Sequence, residues 1–251
     1  MLYLKLDKFT KILPDPYLFS ALLLGVAAGI EHRSALQGLT CQFVVDIGAN
    51  RGQFTLVARK YFPGAKIISF EPLFEPAAIF RRLFSKDPKI ILHELAIGPN
   101  DGEMTIHVSC EDDSSSLLPI TTLQNKLFPG TDEKEVRTIR VKRLDAVLDP
   151  EEIERPALLK LDVQGFERQA LEGCRLLLPL FSYVYVECSF VELYAGQVLA
   201  HEVITFLGDF KFVLSGVYNL SYDKRGRAIQ GDFLFQKLVD EMGYAYSSCG
   251  Y

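Results

Sequence analysis

The chain predicts an α/β domain on a mainly parallel sheet of seven strands, and three features of its 251 residues carry that prediction. Apolar runs of strand length alternate with helix-length patterns from about residue 43 onward, as in sheets built from βαβ units. The first apolar run enters a glycine-rich turn and then an amphipathic helix, the arrangement found at the carboxyl ends of strands in doubly wound sheets. No repeat, low-complexity tract or Pro/Gly-rich linker divides the chain, and its 49% apolar content suits one sizeable core without staples.

Residues 1–42 read as a helical segment packed on the core. Their most apolar run, Tyr17 to Ile30, is 14 residues long, short of the roughly 20 that span a bilayer. It follows Pro14-Asp15-Pro16, a helix-start pattern, and has no small-residue cleavage site after it, so neither an integral span nor an export signal is expected. Residues 43–251 would form the main domain. Its strands are expected at Phe43–Ile47, Lys66–Phe70, Ile90–Leu95, Leu158–Leu161, Tyr183–Glu187, Phe212–Gly216 and Asp232–Gln236. The helices between them are expected at Gln53–Tyr61, Glu75–Phe84, Phe166–Leu178 and Ala200–Gly208. An insertion at about 103–141 separates the third and fourth strands. In it, Met104–Val108 and Val136–Val141 alternate as a β-hairpin would, and the serine-rich stretch Glu111–Lys134 is either a lid or disordered.

Charge and cysteines narrow the partners. Twenty-seven basic against 32 acidic side chains leave a net charge of −5 with no basic run, which argues against nucleic acid. Cys41, Cys110, Cys174, Cys188 and Cys249 are odd in number and lack metal-binding spacing, so they read as reduced core residues of a cytoplasmic protein.

The most informative stretch is Val44 to Phe54 (VVDIGANRGQF). Gly48 would let backbone approach a ligand, Asn50 tolerates a left-handed turn, and Gly52 would let the helix pack on the strand. Glu71 ends the next strand 19 residues after Gly52, where a carboxylate can accept hydrogen bonds from ribose hydroxyls. Asp46 sits at the mouth of the loop, where it would repel a pyrophosphate but could pair with an ammonium or the water around it. The D-x-G-x-N-x-G pattern also departs from the dinucleotide fingerprint. S-adenosylmethionine is therefore expected ahead of NAD. Ala96 and Ile97, after the third strand, could cover one face of the adenine ring.

In order along the chain, VVDIGANRGQFT (Val44–Thr55), SFEP (Ser69–Pro72), ELAIG (Glu94–Gly98), the serines Ser114–Ser116, RLDAVL (Arg143–Leu148), LLKLDVQGFERQALEG (Leu158–Gly173) and VYVEC (Val184–Cys188) resemble the FkbM-type S-adenosylmethionine-dependent methyltransferases. The Lys160–Glu167 block is the most specific part. The resemblance implies the class I methyltransferase (Rossmann-like) fold, with a seven-stranded, mostly parallel sheet and helices on both faces. It also implies O-methylation of a hydroxyl on a sugar, a glycan or a secondary metabolite.

Methyl transfer needs an acceptor held in line and a group to take the hydroxyl proton. Asp162 ends the fourth parallel strand and should open into the same crevice as Asp46, which makes it the first choice for base or acceptor-orienting residue. Lys160 shares its strand face and could orient it. Glu187 would lie beside Asp162 if the fourth and fifth strands are adjacent. These two carboxylates could hold Mg²⁺, but they are fewer oxygen ligands than that ion usually takes, so no metal is assigned. Glu167, in the first turn of the next helix, is either a cap or functional. His32, His93, His107 and His201 read mainly as structural, with His107 and Ser114–Ser116 the better functional candidates because the insertion could fold over the sheet. Arg81 and Arg82 read as a solvated helix face. Two other readings stand beside the methyltransferase: an NAD-dependent oxidoreductase, and a non-catalytic domain of the same fold that binds a glycan or protein.

Overall fold

The computed structural model describes residues 15–238. Cys249 and the outer ends of the two predicted segments, 1–14 and 239–251, lie outside the described residues.

The N-terminal segment forms a short helix, α1 (Pro16–Leu23), and a second, α2 (Arg33–Leu36), joined by a 3₁₀ turn at Ile30–His32. α1 is capped by Asp15, whose side chain accepts from the Tyr17 and Leu18 N–H groups. It stops well before Ile30, the end of the apolar run. Gly25, at φ +77°, allows the Val26 and Gly25 N–H groups to turn back onto Ala21 and Leu22.

The main sheet contains β1 (Phe43–Ile47), β2 (Lys66–Phe70), β3 (Ile90–His93), β7 (Ala157–Leu161), β8 (Tyr183–Ser189), β9 (Phe212–Tyr222) and β10 (Ala228–Lys237). Their spatial order is β3-β2-β1-β7-β8-β10-β9. β10 runs antiparallel to both neighbours, and the remaining neighbours are parallel. Strand order therefore reverses direction between β1 and β7, the switch point where such sheets open a crevice at their carboxyl edge.

A smaller sheet of order β4-β6-β5 is built from β4 (Ala96–Ile97), β5 (Gly102–Ser109) and β6 (Glu133–Lys142). β5 and β6 pair antiparallel, the flap expected of the insertion. The predicted third strand ends early at His93, because the chain bends there and Ala96–Ile97 pair with Val141–Lys142 instead. The stretch Glu111–Lys134 is folded: it carries α5 (Thr122–Leu127), capped by Thr121, and buries Ser116, Gln124 and Thr131.

Helices cover both faces of the main sheet. α3 (Gln53–Tyr61), α4 (Phe74–Leu83) and the N-terminal segment pack on the side of Val44, Ile67, Leu158 and Tyr185. α6 (Glu167–Gly173) and α7 (Ala200–Asp209) pack on the side of Val45, Leu159, Val184 and Phe235. α6 is shorter than the Phe166–Leu178 helix expected, and the chain beyond it takes a 3₁₀ turn at Leu178–Leu180 around Pro179. β9 is longer than expected, because as the edge strand it pairs only with β10 and shows no clean alternation of burial.

Candidate active site

A cleft of about 470 Å³ opens at the carboxyl edge of the sheet, over β1, β2 and β7, within the size range of small-molecule sites. Of the candidate residues, Gly48, Asn50, Glu71, Ala96, Ile97 and Asp162 line it, while Asp46, Gly52 and Glu187 stand behind its wall.

The β1–α3 loop is held from both sides. Gly48 and Ala49 N–H groups both donate to the Phe70 carbonyl of β2, at 3.0 Å each. Gly48 has φ +76°, and a Cβ there would lie 1.9 Å from the Asp162 carbonyl oxygen, so β7 approaches too closely for any side chain. Asn50 is left-handed at φ 46°, and its N–H donates to Glu71 Oε2 at 3.0 Å. Glu71 Oε1 accepts from the Leu73 N–H at 2.8 Å, so both carboxylate oxygens are set by backbone as they face the cleft. A Cβ on Gly52 would lie 2.5 Å from the Phe84 ring, so this glycine makes room for the residue after α4 rather than for the strand.

Asp46 is fully buried under this loop. Thr55 Oγ1 donates to its Oδ2 at 2.7 Å, and Lys160 Nζ lies 3.0 Å from its Oδ1. Lys160, on the register partner of Asp46, also donates to the Gly48 carbonyl at 3.0 Å and reaches 3.8 Å from Asp162 Oδ2. Burial alone would lower its pKa, but the Asp46 and Asp162 carboxylates outweigh that and raise it, so the ammonium is retained. One buried cation thus ties the carboxylate behind the loop to the carboxylate at the cleft.

After β7 the chain turns through Gln164, left-handed at φ 51°. Its Nε2 donates to Asp162 Oδ1 at 2.7 Å and to Glu187 Oε2 at 3.0 Å. The Gln164 amide nitrogen therefore lies between the two carboxylates, in the position a shared Mg²⁺ would need. Among the described residues, no cluster of three or more His, Cys, Asp or Glu is arranged around a metal position.

Glu187 also accepts from Gln230 Nε2 at 2.8 Å. Its burial, with Asp162, Asp232 and Glu167 nearby, pushes its pKa well above the ordinary carboxylate range. Glu167 is buried, accepting from the Gly165 N–H at 3.0 Å and the Val163 N–H at 3.3 Å. It caps this turn, and desolvation raises its pKa to about 7.

The insertion seats on the same turn. Ser116 Oγ donates to the Gln164 carbonyl at 2.6 Å, and Tyr194, bridged through its backbone to Ile120 of the insertion, donates its hydroxyl to Gln164 Oε1 at 2.8 Å. Gln164, Tyr194 and Thr55 were not among the candidates read from the sequence. Gln164 does lie inside the Lys160–Glu167 block, but Tyr194 has no local signal at all. The other histidines are spread out: His107 Nδ1 pairs with Glu133 on the flap, His93 stacks on Phe70, and His201 sits on α7.

A family model described as Methyltransferase FkbM domain matches residues 46–214. Among relatives, the 2-O-methyltransferase NoeI of Sinorhizobium fredii is 25% identical over 199 residues, covering 77% of this chain and 78% of that protein. Methyltransferase 1 of Beauveria bassiana is 29% identical over 148 residues, covering 52% of this chain and 57% of that protein. Among solved structures, the Precorrin-6y C5,15-methyltransferase of Geobacter metallireducens aligns with a TM-score of 0.45 and 11% identity, over 81% of this chain and 84% of that one.

Proposed function

Because the chain belongs to the FkbM methyltransferase domain family, whose matched segment contains the β1, β2 and β7 ends of the cleft, we propose that it transfers the methyl group of S-adenosylmethionine to a hydroxyl of a sugar, glycan or secondary metabolite. The observation that carries this reading is the Glu71 carboxylate, fixed by two backbone donors at the end of β2 and facing the cleft, where a nucleoside ribose would sit. Gln53 Oε1 adds support: it is a buried acceptor with no hydrogen-bond partner among the described residues, on the same wall, and a donor on the cofactor would satisfy it.

In this reading Glu71 and Gln53 hold the polar edge of the cofactor. Gly48 and Asn50 shape the loop beside its amino-acid end, and Gly52 sets the start of α3. Ala96 and Ile97 cover the adenine. Asp46 acts from beneath, holding the loop through Lys160 and Thr55. When bound, S-adenosylmethionine supplies an electrophilic methyl group on a cationic sulfur. Asp162, about a third exposed at the cleft, accepts a hydrogen bond from the acceptor and sets its approach. Glu187 is a positioning residue, acting on Asp162 through Gln164. The Sinorhizobium relative, named as a 2-O-methyltransferase, supports an oxygen acceptor. Residues 15–42, with the insertion, would form the acceptor side of the cleft. Among the described residues no helix is long and apolar enough to cross a membrane. The four described cysteines are free thiols, in keeping with the reducing, cytoplasmic location proposed.

Calorimetric titration of the full chain with S-adenosylhomocysteine, with NAD for comparison, tests this. S-adenosylhomocysteine alone should bind. Asp162→Ala should keep that affinity within about threefold and lose about 100-fold or more in turnover on an acceptor the wild type methylates. Binding of NAD instead, or of neither ligand, would overturn the reading.

A further inference from the structure

The cleft has a wall that the family motifs do not touch. Gly25, Ala27, Glu31 and His32 reach it from the N-terminal segment, outside the matched residues 46–214. The His32 ring is wedged edge-on between Phe54 and Tyr185, with centroids at 5.4 and 5.6 Å. Phe54 in turn lies 5.4 Å under Lys160 Nζ, so the imidazole stands beside the loop assembly rather than at a distant surface.

The hydrogen bonds around Asp232 determine which ring nitrogen carries the proton. Asp232 Oδ2 accepts from Asn219 Nδ2 at 2.7 Å and from the Tyr185 hydroxyl at 3.0 Å. His32 Nδ1 lies 3.0 Å from that hydroxyl oxygen and 3.3 Å from Asp232 Oδ2. With the phenol proton committed to Asp232, both oxygens near Nδ1 present only lone pairs, so Nδ1 must be the donor. Despite burial, the pKa of Asp232 is lowered by His32, Asn219 and Tyr185, which keeps it an acceptor. Nε2 is then left with its lone pair and has no hydrogen-bond partner among the described residues. A base in the wall of a cleft, oriented by a carboxylate through one ring nitrogen and with a lone pair on the other, is the arrangement general-base catalysis requires.

We propose that His32 is the general base of methyl transfer, with Asp232 and Tyr185 as positioning residues, an assignment that rests on the methyltransferase reading above. The acceptor oxygen forms the new C–O bond as the S–C bond breaks, leaving S-adenosylhomocysteine. The hydroxyl proton passes to Nε2, and the imidazolium is balanced by Asp232. Among the described residues, the charged and titratable groups around the ring are Glu31 and Arg33 on its own turn and the next helix, Asp232, Tyr185 and Tyr218 from the sheet, Lys160 beyond Phe54, and Arg51 and Asp162 on the cleft.

The test is ¹H–¹⁵N NMR of the imidazoles in the full chain, first with S-adenosylhomocysteine bound and then with S-adenosylmethionine, which differs by one methyl group and one positive charge. His32 should show the Nδ1–H tautomer in the first complex, and its Nε2 resonance should move beside the cationic sulfur of the second, while the His201 resonances on α7 stay in place. Asp232→Ala should shift the ring toward the Nε2–H tautomer, because the Tyr185 proton is then free to turn to Nδ1. His32→Gln should keep S-adenosylhomocysteine affinity within about twofold and lose about 100-fold in kcat on any acceptor the wild type methylates. An Nε2–H tautomer in the wild type, an Nε2 resonance equal in the two complexes, or full turnover by His32→Gln, would overturn the assignment. Failure of the wild type to bind S-adenosylhomocysteine would overturn the function reading, and this assignment with it.

Discussion

Glu167 shows how burial converts one carboxylate into a pH-dependent contribution to stability. Its pKa rises from the ordinary 4.5 to about 7, chiefly through desolvation, so the folded chain binds more protons than the unfolded one across that window. Stability from this residue is therefore present below about pH 4.5 and falls as pH rises through about 7, by at most about 3 kcal/mol. Glu167→Gln keeps the side-chain oxygen that receives the Val163 and Gly165 N–H groups but does not titrate. Urea unfolding of both proteins should show the variant gaining on the wild type between pH 4.5 and 7.5 by up to that amount. A difference that stays constant over the window would show that Glu167 does not titrate there. The sequence placed this carboxylate in the first turn of a helix, leaving cap and functional readings open. Only the packed turn shows which backbone groups it caps and how completely it is desolvated.

At the scale of elements, β1, β2 and α3 match their expected bounds residue for residue, because each is a run of strong local pattern between turn signals. The elements that departed are those decided by neighbours. β3 loses its end to the small sheet, and β9 extends as an edge partner of β10. Glu111–Lys134, polar and open to two readings, folds because Ser116 and Tyr194 attach it to the Gln164 turn. Ser116→Ala removes a donor to Gln164 and an acceptor from the Leu118 N–H, together about 1–2 kcal/mol. The backbone bridge between Ser116 and His107 remains. Hydrogen exchange over residues 111–121 should then speed up roughly 5- to 30-fold, with β1, β7 and β8 unchanged. Unaltered exchange in that stretch would mean the attachment carries no local stability.

For the whole molecule, the strand reversal between β1 and β7 brings the cleft, the insertion and the N-terminal segment to one edge of one sheet. A ligand that binds there binds only the folded chain and must raise its melting temperature. At about 100 times its dissociation constant, S-adenosylhomocysteine should add about 2.7 kcal/mol, or roughly 5–10 °C for a chain of this size, with no shift from NAD. The reverse pattern would move the site to dinucleotide chemistry.

By itself the sequence determined the sheet class, the glycine-rich loop, Glu71, and the Lys160–Asp162 pair on one strand face. Each of these is written in residues close along the chain, where period and turn chemistry act. Tertiary structure alone decided that Asp46 faces Lys160 from below the loop, that Gln164 stands between Asp162 and Glu187, and that His32 meets Tyr185 and Asp232. Asp46 meets Lys160, and Tyr185 meets Asp232, across registers between strands that are not consecutive, while the Gln164 contact depends on a left-handed turn, and no local pattern encodes which side chains such packing brings face to face.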